Sequence, residues 1–176
     1  MKLIFLDIDG VLNNELWYRS DKYDALSNEF KTCTHEFHDL AQFDPLCVEN
    51  LNRITEQTGA KIVVSSSWRI GREVSELQDL LAKAGIKGEV IDKTPKLWFE
   101  RPEDYPYYSV PRGCEIKAWI EMNKDILGDK VSKLSYVILD DDSDMLYWQR
   151  DKFVWIDRWS GLTHNTAFKA VQILNR

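Results

Sequence analysis

The run KLIFL at Lys2–Leu6 carries almost no polar alternation and stops abruptly at Asp7. A strand with water on one face alternates apolar and polar side chains, whereas a strand buried on both faces reads as a continuous apolar run. Strands of the second kind belong to parallel sheets covered by helices. Similar runs return at Lys61–Val64, 89–91, 136–139 and 153–156. Helical segments lie between them. Asp44 and Pro45 supply an N-cap and a first helical position, Leu46, Leu51 and Ile54 an apolar face, and Gly59 a stop. Further helices are expected over 73–84 (ended by Gly85), 114–126 and 163–174. This alternation predicts an α/β fold: a Rossmann-like parallel sheet of about five strands with helices on both faces and right-handed crossovers. In such sheets ligands bind beyond the carboxyl ends of the strands, so chemistry is sought there.

The 176 residues, 44% of them hydrophobic, suffice for one domain spanning 1–176 with a substantial core. Two polar and aromatic stretches, 13–43 and 92–111, interrupt the pattern. The first reads as loops with a short helix, and the second, rich in proline, as an irregular excursion. The net charge of -6 argues against non-specific coating of nucleic acid, which requires neutralising many phosphates. Three cysteines without framework spacing point to reduced thiols and a cytoplasmic protein. No apolar run has the length of a membrane span or a signal peptide. No obligate protein partner is implied.

Three strand ends carry polar clusters. LDIDGVL places Asp7 and Asp9 after the first strand. VVSSSWR places Ser65, Ser66 and Ser67 after the second. VILDDDSD places Asp140, Asp141, Asp142 and Asp144 after the fourth. Carboxylates gathered at one site repel each other unless a cation neutralises them. Oxygen ligands without histidine or cysteine suit Mg²⁺, which shares its shell readily with a phosphate. A carboxylate nucleophile can split phosphoryl hydrolysis into two easier steps.

Taken in order, these motifs resemble those of the haloacid dehalogenase (HAD) superfamily. DxDGVL is similar to its first motif, the serine at a strand end to its second, Arg112 in PRGCEI to its third, and VILDDDSD to its fourth. The resemblance implies a Mg²⁺-dependent phosphatase. Asp7 would be the nucleophile that forms an aspartyl-phosphate, and Asp9 the general acid and then base. Ser65 would bind phosphoryl oxygens with help from the Ser66 backbone, and Arg112 would neutralise charge and orient Asp7. Asp140 and Asp141 would hold Mg²⁺ with Asp7 and the carbonyl of Ile8, the Asp9 carbonyl being the alternative. Either Asp140 or Asp141 could be the nearer ligand. Dehalogenating members lack the second aspartate, so Asp9 favours phosphate esters. Excursions of about 30 and 20 residues suit loops more than a folded cap domain, so a minimal cap or none is expected.

SSSWR, RGCEIKAWI and WIDRWSGLTHNTAFKAVQIL also resemble the HAD domains of "Swiss Army Knife" RNA-repair proteins, similar in plan to polynucleotide 3′-phosphatase domains. This implies a phosphorylated RNA or DNA end as substrate. Trp68, Arg69, Arg72, Lys96 and Arg101 would then hold the strand by stacking and phosphate contacts. Two other classes stay open: a phosphatase of small metabolites or nucleotides with 92–111 as lid, and a non-catalytic module that binds a phosphorylated ligand. A substrate screen separates the first, and turnover the second.

Each group also has an ordinary reading. Asp7 and Asp9 could be a strand-end turn, Asp142 and Asp144 an acidic helix start, the serines turn residues and caps, and Arg112 a surface arginine with Lys117 as rival. Their order and strand context favour the site. Cys33, His35 and His38, with Cys47, match no common zinc spacing and read as a surface loop. His164 reads as a helix cap. Trp98, Phe99, Tyr105, Tyr107 and Tyr108 could stack a base, line a lid, or form a small satellite core.

Overall fold

A computed structural model describes residues 1–30, 35–99, 108–127 and 134–176. Its main sheet has five parallel strands in the order β3-β2-β1-β6-β7. These are β1 (Lys2–Leu6), β2 (Lys61–Val64), β3 (Val90–Lys93), β6 (Ser135–Asp140) and β7 (Phe153–Trp155). The sheet is the Rossmann-like one that the apolar runs predict. Leu3 and Phe5 of β1 pack into one core and Ile4 and Leu6 into another, all fully buried. Burying one such side chain contributes about 1.5–3 kcal/mol. With apolar residues on both faces, the hydrophobic pattern alone cannot fix the register. The polar ends Asp7 and Lys2 do so, by keeping the run in place between them.

One face is covered by α4 (Pro45–Thr58), α5 (Val74–Lys83) and α8 (His164–Leu174), through Leu51, Ile54, Leu77, Leu81 and Ala170. The other is covered by α6 (Arg112–Met122) and α7 (Lys124–Leu127), through Ile116, Trp119 and Leu127. The connections through α4 and α5 step outward from β1 to β3, while that through α6 steps back across to β6. Crossovers of one hand that run in opposite directions must lie on opposite faces. The caps of α4 form as read: the Asp44 carboxylate accepts from the Leu46 N–H at 2.9 Å, and Gly59 turns with φ 66°.

The structure departs from the sequence reading in three places. The 13–43 stretch holds three helices, α1 (Glu15–Tyr18), α2 (Asp21–Phe30) and α3 (His35–Ala41), rather than loops and one short helix. They lie at the surface and are held by hydrogen bonds, so apolar periodicity is faint. The Asn14 side chain accepts from the Trp17 N–H at 2.8 Å, and the Trp17 indole donates to the Ala41 carbonyl at 2.9 Å. In the 92–111 stretch, β4 (Trp98–Phe99) and β5 (Tyr108–Ser109) pair as antiparallel strands. The expected helix over 114–126 begins at Arg112 and divides at Asn123, whose side chain also donates to the Trp119 carbonyl at 2.9 Å. Among the described residues neither insertion builds a cap domain, and no helix is long and apolar enough to cross a membrane.

Candidate active site

The strand order puts β1 between β2 and β6, at the point where connections depart in opposite directions. A crevice forms at such a switch point beyond the strand ends. Three neighbouring strands deliver one polar group each: Asp7 after β1, Ser65 after β2, and Asp140 as the last residue of β6. The backbone binds them together. The Asp7 N–H donates to the Leu139 carbonyl at 3.0 Å, and the Ser65 N–H to the Leu6 carbonyl at 2.8 Å.

Asp7, Asp140 and Asp141 each offer a carboxylate oxygen within 4.8 Å of the others'. Their electrostatics follow from burial. Burial pushes Asp7 above the usual carboxylate range, partly offset by the Arg112 guanidinium and the Ser66 hydroxyl. Burial, and then the charge of Asp7, push Asp140 up to about 8. Asp141 is raised by burial as well, with Arg158 opposing. One buried oxygen, Asp140 Oδ2, has no hydrogen-bond partner. Crowded carboxylates with an unpartnered oxygen are what a hard divalent cation such as Mg²⁺ would satisfy, so the donor set fits one.

Arg112 lies at the N-terminus of α6 and faces this cluster. Its guanidinium is 3.9 Å from Asp7 Oδ1 and 3.7 Å from Asp140 Oδ2. Asp144, the last carboxylate of the VILDDDSD cluster, accepts from the Arg112 backbone N–H at 2.7 Å and so anchors the start of α6. Lys117, the rival cation, lies half-exposed on α6, 3.8 Å from Glu121. Ser65 is fully buried and its hydroxyl lacks a partner, as does Arg112 NH1. Two hydrogen-bond donors with nothing to bind therefore lie in the same crevice as the carboxylates.

Asp9 is exposed and held from two sides. The Trp68 indole N–H reaches its two oxygens at 3.0 and 3.1 Å, and the Asn13 amide donates to it at 3.0 Å. Between the two aspartates the chain turns tightly. The Ile8 carbonyl accepts from the N–H groups of Val11, Leu12 and Asn13 at 3.1, 2.8 and 3.3 Å. That carbonyl is therefore spent inside the turn, which corrects the expectation that it faces a metal. No backbone N–H among the described residues donates to the Asp9 carbonyl, the alternative. Gly10 has φ 72°, and a Cβ there would lie 2.4 Å from Asp141 Oδ2. Only glycine allows both the turn and the approach of Asp141.

A HAD-family model, described as the HAD domain in Swiss Army Knife RNA repair proteins, matches residues 3–167. The chain belongs to this family. Searches among curated proteins and among solved structures gave no match.

Several residues of this HAD domain are placed otherwise than expected. Arg69 does not reach the mouth. It is buried, donating to the carbonyls of Ser65 and Ser66 (both 2.7 Å), Thr94 (2.9 Å) and Pro95 (3.3 Å), and pairing with Glu115 at 2.5 Å. It is the bolt that holds the serine loop to α6. Trp68 orients Asp9 rather than standing free to stack. Arg72 is likewise engaged, with the Trp68 carbonyl at 3.0 Å and Asp39 at 2.8 Å. His164 is the first residue of α8, but the cap is Thr163. Cys47 is buried beside Asn14 and Asp44, its thiol pushed up to about 12 by burial. Cys33, Arg101, Tyr105 and Tyr107 lie outside the described residues. Sequence reasoning missed Asn13, Trp155 and Arg158. Trp155 donates to the Asp141 carbonyl at 2.9 Å, and Arg158 lies 3.6 Å from the Asp141 carboxylate. The one signal was WIDRW itself, a cluster of large side chains directly after a strand.

Proposed function

We propose that this HAD domain is a Mg²⁺-dependent phosphomonoester hydrolase acting through Asp7, and that its substrate is a terminal phosphate on RNA or DNA. The observation that carries the first part is Asp9. It is a second carboxylate beside the nucleophile, exposed to the mouth and aimed by two N–H donors. A phosphate-binding module has no use for such a group, whereas an ester hydrolase needs it twice.

In the first step an Asp7 oxygen attacks phosphorus while the bond to the ester oxygen breaks, and Asp9 gives that oxygen its proton. In the second step Asp9 takes a proton from water as the water oxygen attacks phosphorus. The bond to Asp7 breaks and inorganic phosphate leaves. The unpartnered Ser65 hydroxyl and Arg112 NH1 are suited to phosphoryl oxygens, whose charge they would stabilise as it spreads. Asp7, Asp140 and Asp141, with the Asp9 carbonyl as the backbone candidate, would hold Mg²⁺. When bound, the cation would neutralise the carboxylates and the phosphate together.

Two observations support a macromolecular end. The family is described by its occurrence in RNA repair proteins. Among the described residues the two insertions form short helices and a two-stranded antiparallel pair rather than a domain over the mouth. The test is hydrolysis of p-nitrophenyl phosphate with and without Mg²⁺ by wild type and Asp7→Asn, followed by oligonucleotides phosphorylated at either end. Mg²⁺-dependent turnover that vanishes in Asp7→Asn is expected, as is preference for an oligonucleotide. Turnover that survives in Asp7→Asn would refute the covalent route. No preference over the aryl ester would refute the substrate.

A further inference from the structure

A shelf of exposed aromatic and cationic side chains borders the crevice on its β7 side, and the hydrolysis steps above make no use of it. It begins at Trp155, where β7 ends, and continues through Arg158 and Trp159. Trp155 and Trp159 are 56% and 45% exposed, and the Arg158 side chain 74%. Indole rings are mostly covered in folded proteins, and here Val154, Ile156 and Leu162 already anchor the segment in the core. Packing therefore does not explain why two more large rings stand in water.

The segment is held firmly. The N–H groups of Glu15 and Leu16 donate to the carbonyls of Arg158 and Trp159 at 3.2 and 3.1 Å, tying it to α1. Asp157 is engaged with its own loop, accepting from the Trp159 N–H at 3.1 Å and the Ser160 hydroxyl at 3.2 Å. The Arg19 guanidinium stands 4.8 Å from the Trp159 ring centre. Trp155 and Arg158 both contact Asp141, one of the three clustered carboxylates, so the shelf begins at the rim of the reacting centre. Rings already fixed in place lose little entropy on binding. The exposed guanidinium groups of Arg19 and Arg158 stand beside them, each 3.6 Å from a carboxylate oxygen, of Glu15 and of Asp141, and each keeps N–H groups that a phosphate could accept from.

We propose that Trp159, flanked by Arg158 and Arg19, is the subsite that takes the base and adjoining backbone phosphate of a single strand whose terminal phosphate lies at Asp7. The inference rests on the nucleic-acid-end reading above and adds where the strand is held. Stacking on an aromatic face accepts any base, and arginine holds phosphate without reading sequence. The subsite is therefore sequence-tolerant, as suits an enzyme that meets ends of many sequences.

The experiment compares wild type, Trp159→Leu and Trp159→Phe on three substrates: a short single-stranded oligonucleotide with a 3′-phosphate, the same strand with a 5′-phosphate, and glycerol 2-phosphate, which has no ring to stack. Trp159 touches none of the reacting groups. Trp159→Leu is expected to raise KM for the preferred oligonucleotide ~10-fold with kcat little changed, and Trp159→Phe to recover most of it. Glycerol phosphate kinetics stay as in wild type. The same loss is expected in the affinity of a labelled, phosphorylated oligonucleotide for Asp7→Asn protein carrying Trp159→Leu, which needs no turnover. An oligonucleotide KM and affinity within about twofold of wild type, or an equal KM rise on glycerol phosphate, would overturn the subsite. The two readings fail differently. If wild type prefers neither oligonucleotide to glycerol phosphate, the nucleic-acid reading falls and the subsite with it. If it prefers one and Trp159→Leu is silent, only the subsite falls.

Discussion

Replacing Asp140 with Asn removes one charge from the most crowded point of the crevice and keeps the side chain's shape. Asp140 Oδ1 accepts from the Asp142 N–H at 3.0 Å, a bond that an asparagine oxygen retains. Burial and the neighbouring Asp7 raise this carboxyl from an ordinary 3.8 to about 8. At about 1.36 kcal/mol per pH unit, keeping it ionised costs the fold on the order of 5 kcal/mol. That is a large part of a total stability of about 5–15 kcal/mol. The sign follows from the raised pKa. The contribution of this group to stability is most favourable below pH 3.8, where it is protonated in folded and unfolded chains alike. It declines as pH rises towards 8, because only the unfolded chain gives up the proton freely, and it levels off above. Asp140→Asn lacks this decline. In a chelator at pH 8.5 the variant should therefore be the more stable protein, with a Tm higher by roughly 10–20 °C at about 2–4 °C per kcal/mol. At pH 4 the two should nearly coincide. Mg²⁺ should then stabilise wild type at pH 8.5, since it binds only the folded chain, and stabilise the variant far less. Urea or thermal unfolding across this pH range, with chelator and with Mg²⁺, measures all of this. If Asp140→Asn is no more stable than wild type at pH 8.5 in chelator, or keeps the same pH slope, the crowding of the carboxylates has been misjudged.

Two further substitutions separate orientation from support. Trp68→Phe keeps the ring's packing near Phe43 but removes the indole N–H from Asp9, while the Asn13 amide remains. Because Asp9 is exposed, kcat should fall only about threefold to tenfold, with KM and Tm nearly unchanged; a loss confined to KM would assign Trp68 to substrate contact instead. Arg69→Met leaves Glu115 buried without its cation and strips donors from the Ser65 and Ser66 carbonyls. Unfolding in urea should show a loss of about 3–5 kcal/mol, and Arg69→Met with Glu115→Met should recover part of it. A stable single variant that binds oligonucleotide poorly would return Arg69 to the mouth.

The helical insertions and the roles of the arginines show where reading the chain as a string reaches its end. The helices α1–α3 carry polar residues on a surface and are held by side-chain bonds such as Trp17 to Ala41, which leave no period in the sequence. Arg69 and Arg72 sit in a basic, serine-rich stretch that reads as a phosphate grip. Yet Arg69 is turned inward because Glu115, 46 residues away in the chain, lies across the sheet end from it.

What the sequence by itself determined is the sheet and where along it polar groups gather. Apolar runs such as Lys2–Leu6 can only be buried on both faces, and a run that ends on a carboxylate must end at the sheet's rim. Asp7, Asp9, Ser65, Asp140 and Asp141 stand at strand ends by that rule, and the resemblance of their motifs adds Arg112 and proposes a role for each. The tertiary structure decided which groups are spent and which are free. It turned the Ile8 carbonyl into a backbone turn, gave Asp144 to the start of α6, aimed Asp9 with Trp68, and brought Trp155 and Arg158 to Asp141. The reason is physical. Burial and periodicity are properties of neighbouring residues and can be read along the chain, whereas a hydrogen bond depends on which distant group the fold delivers to within about 3 Å.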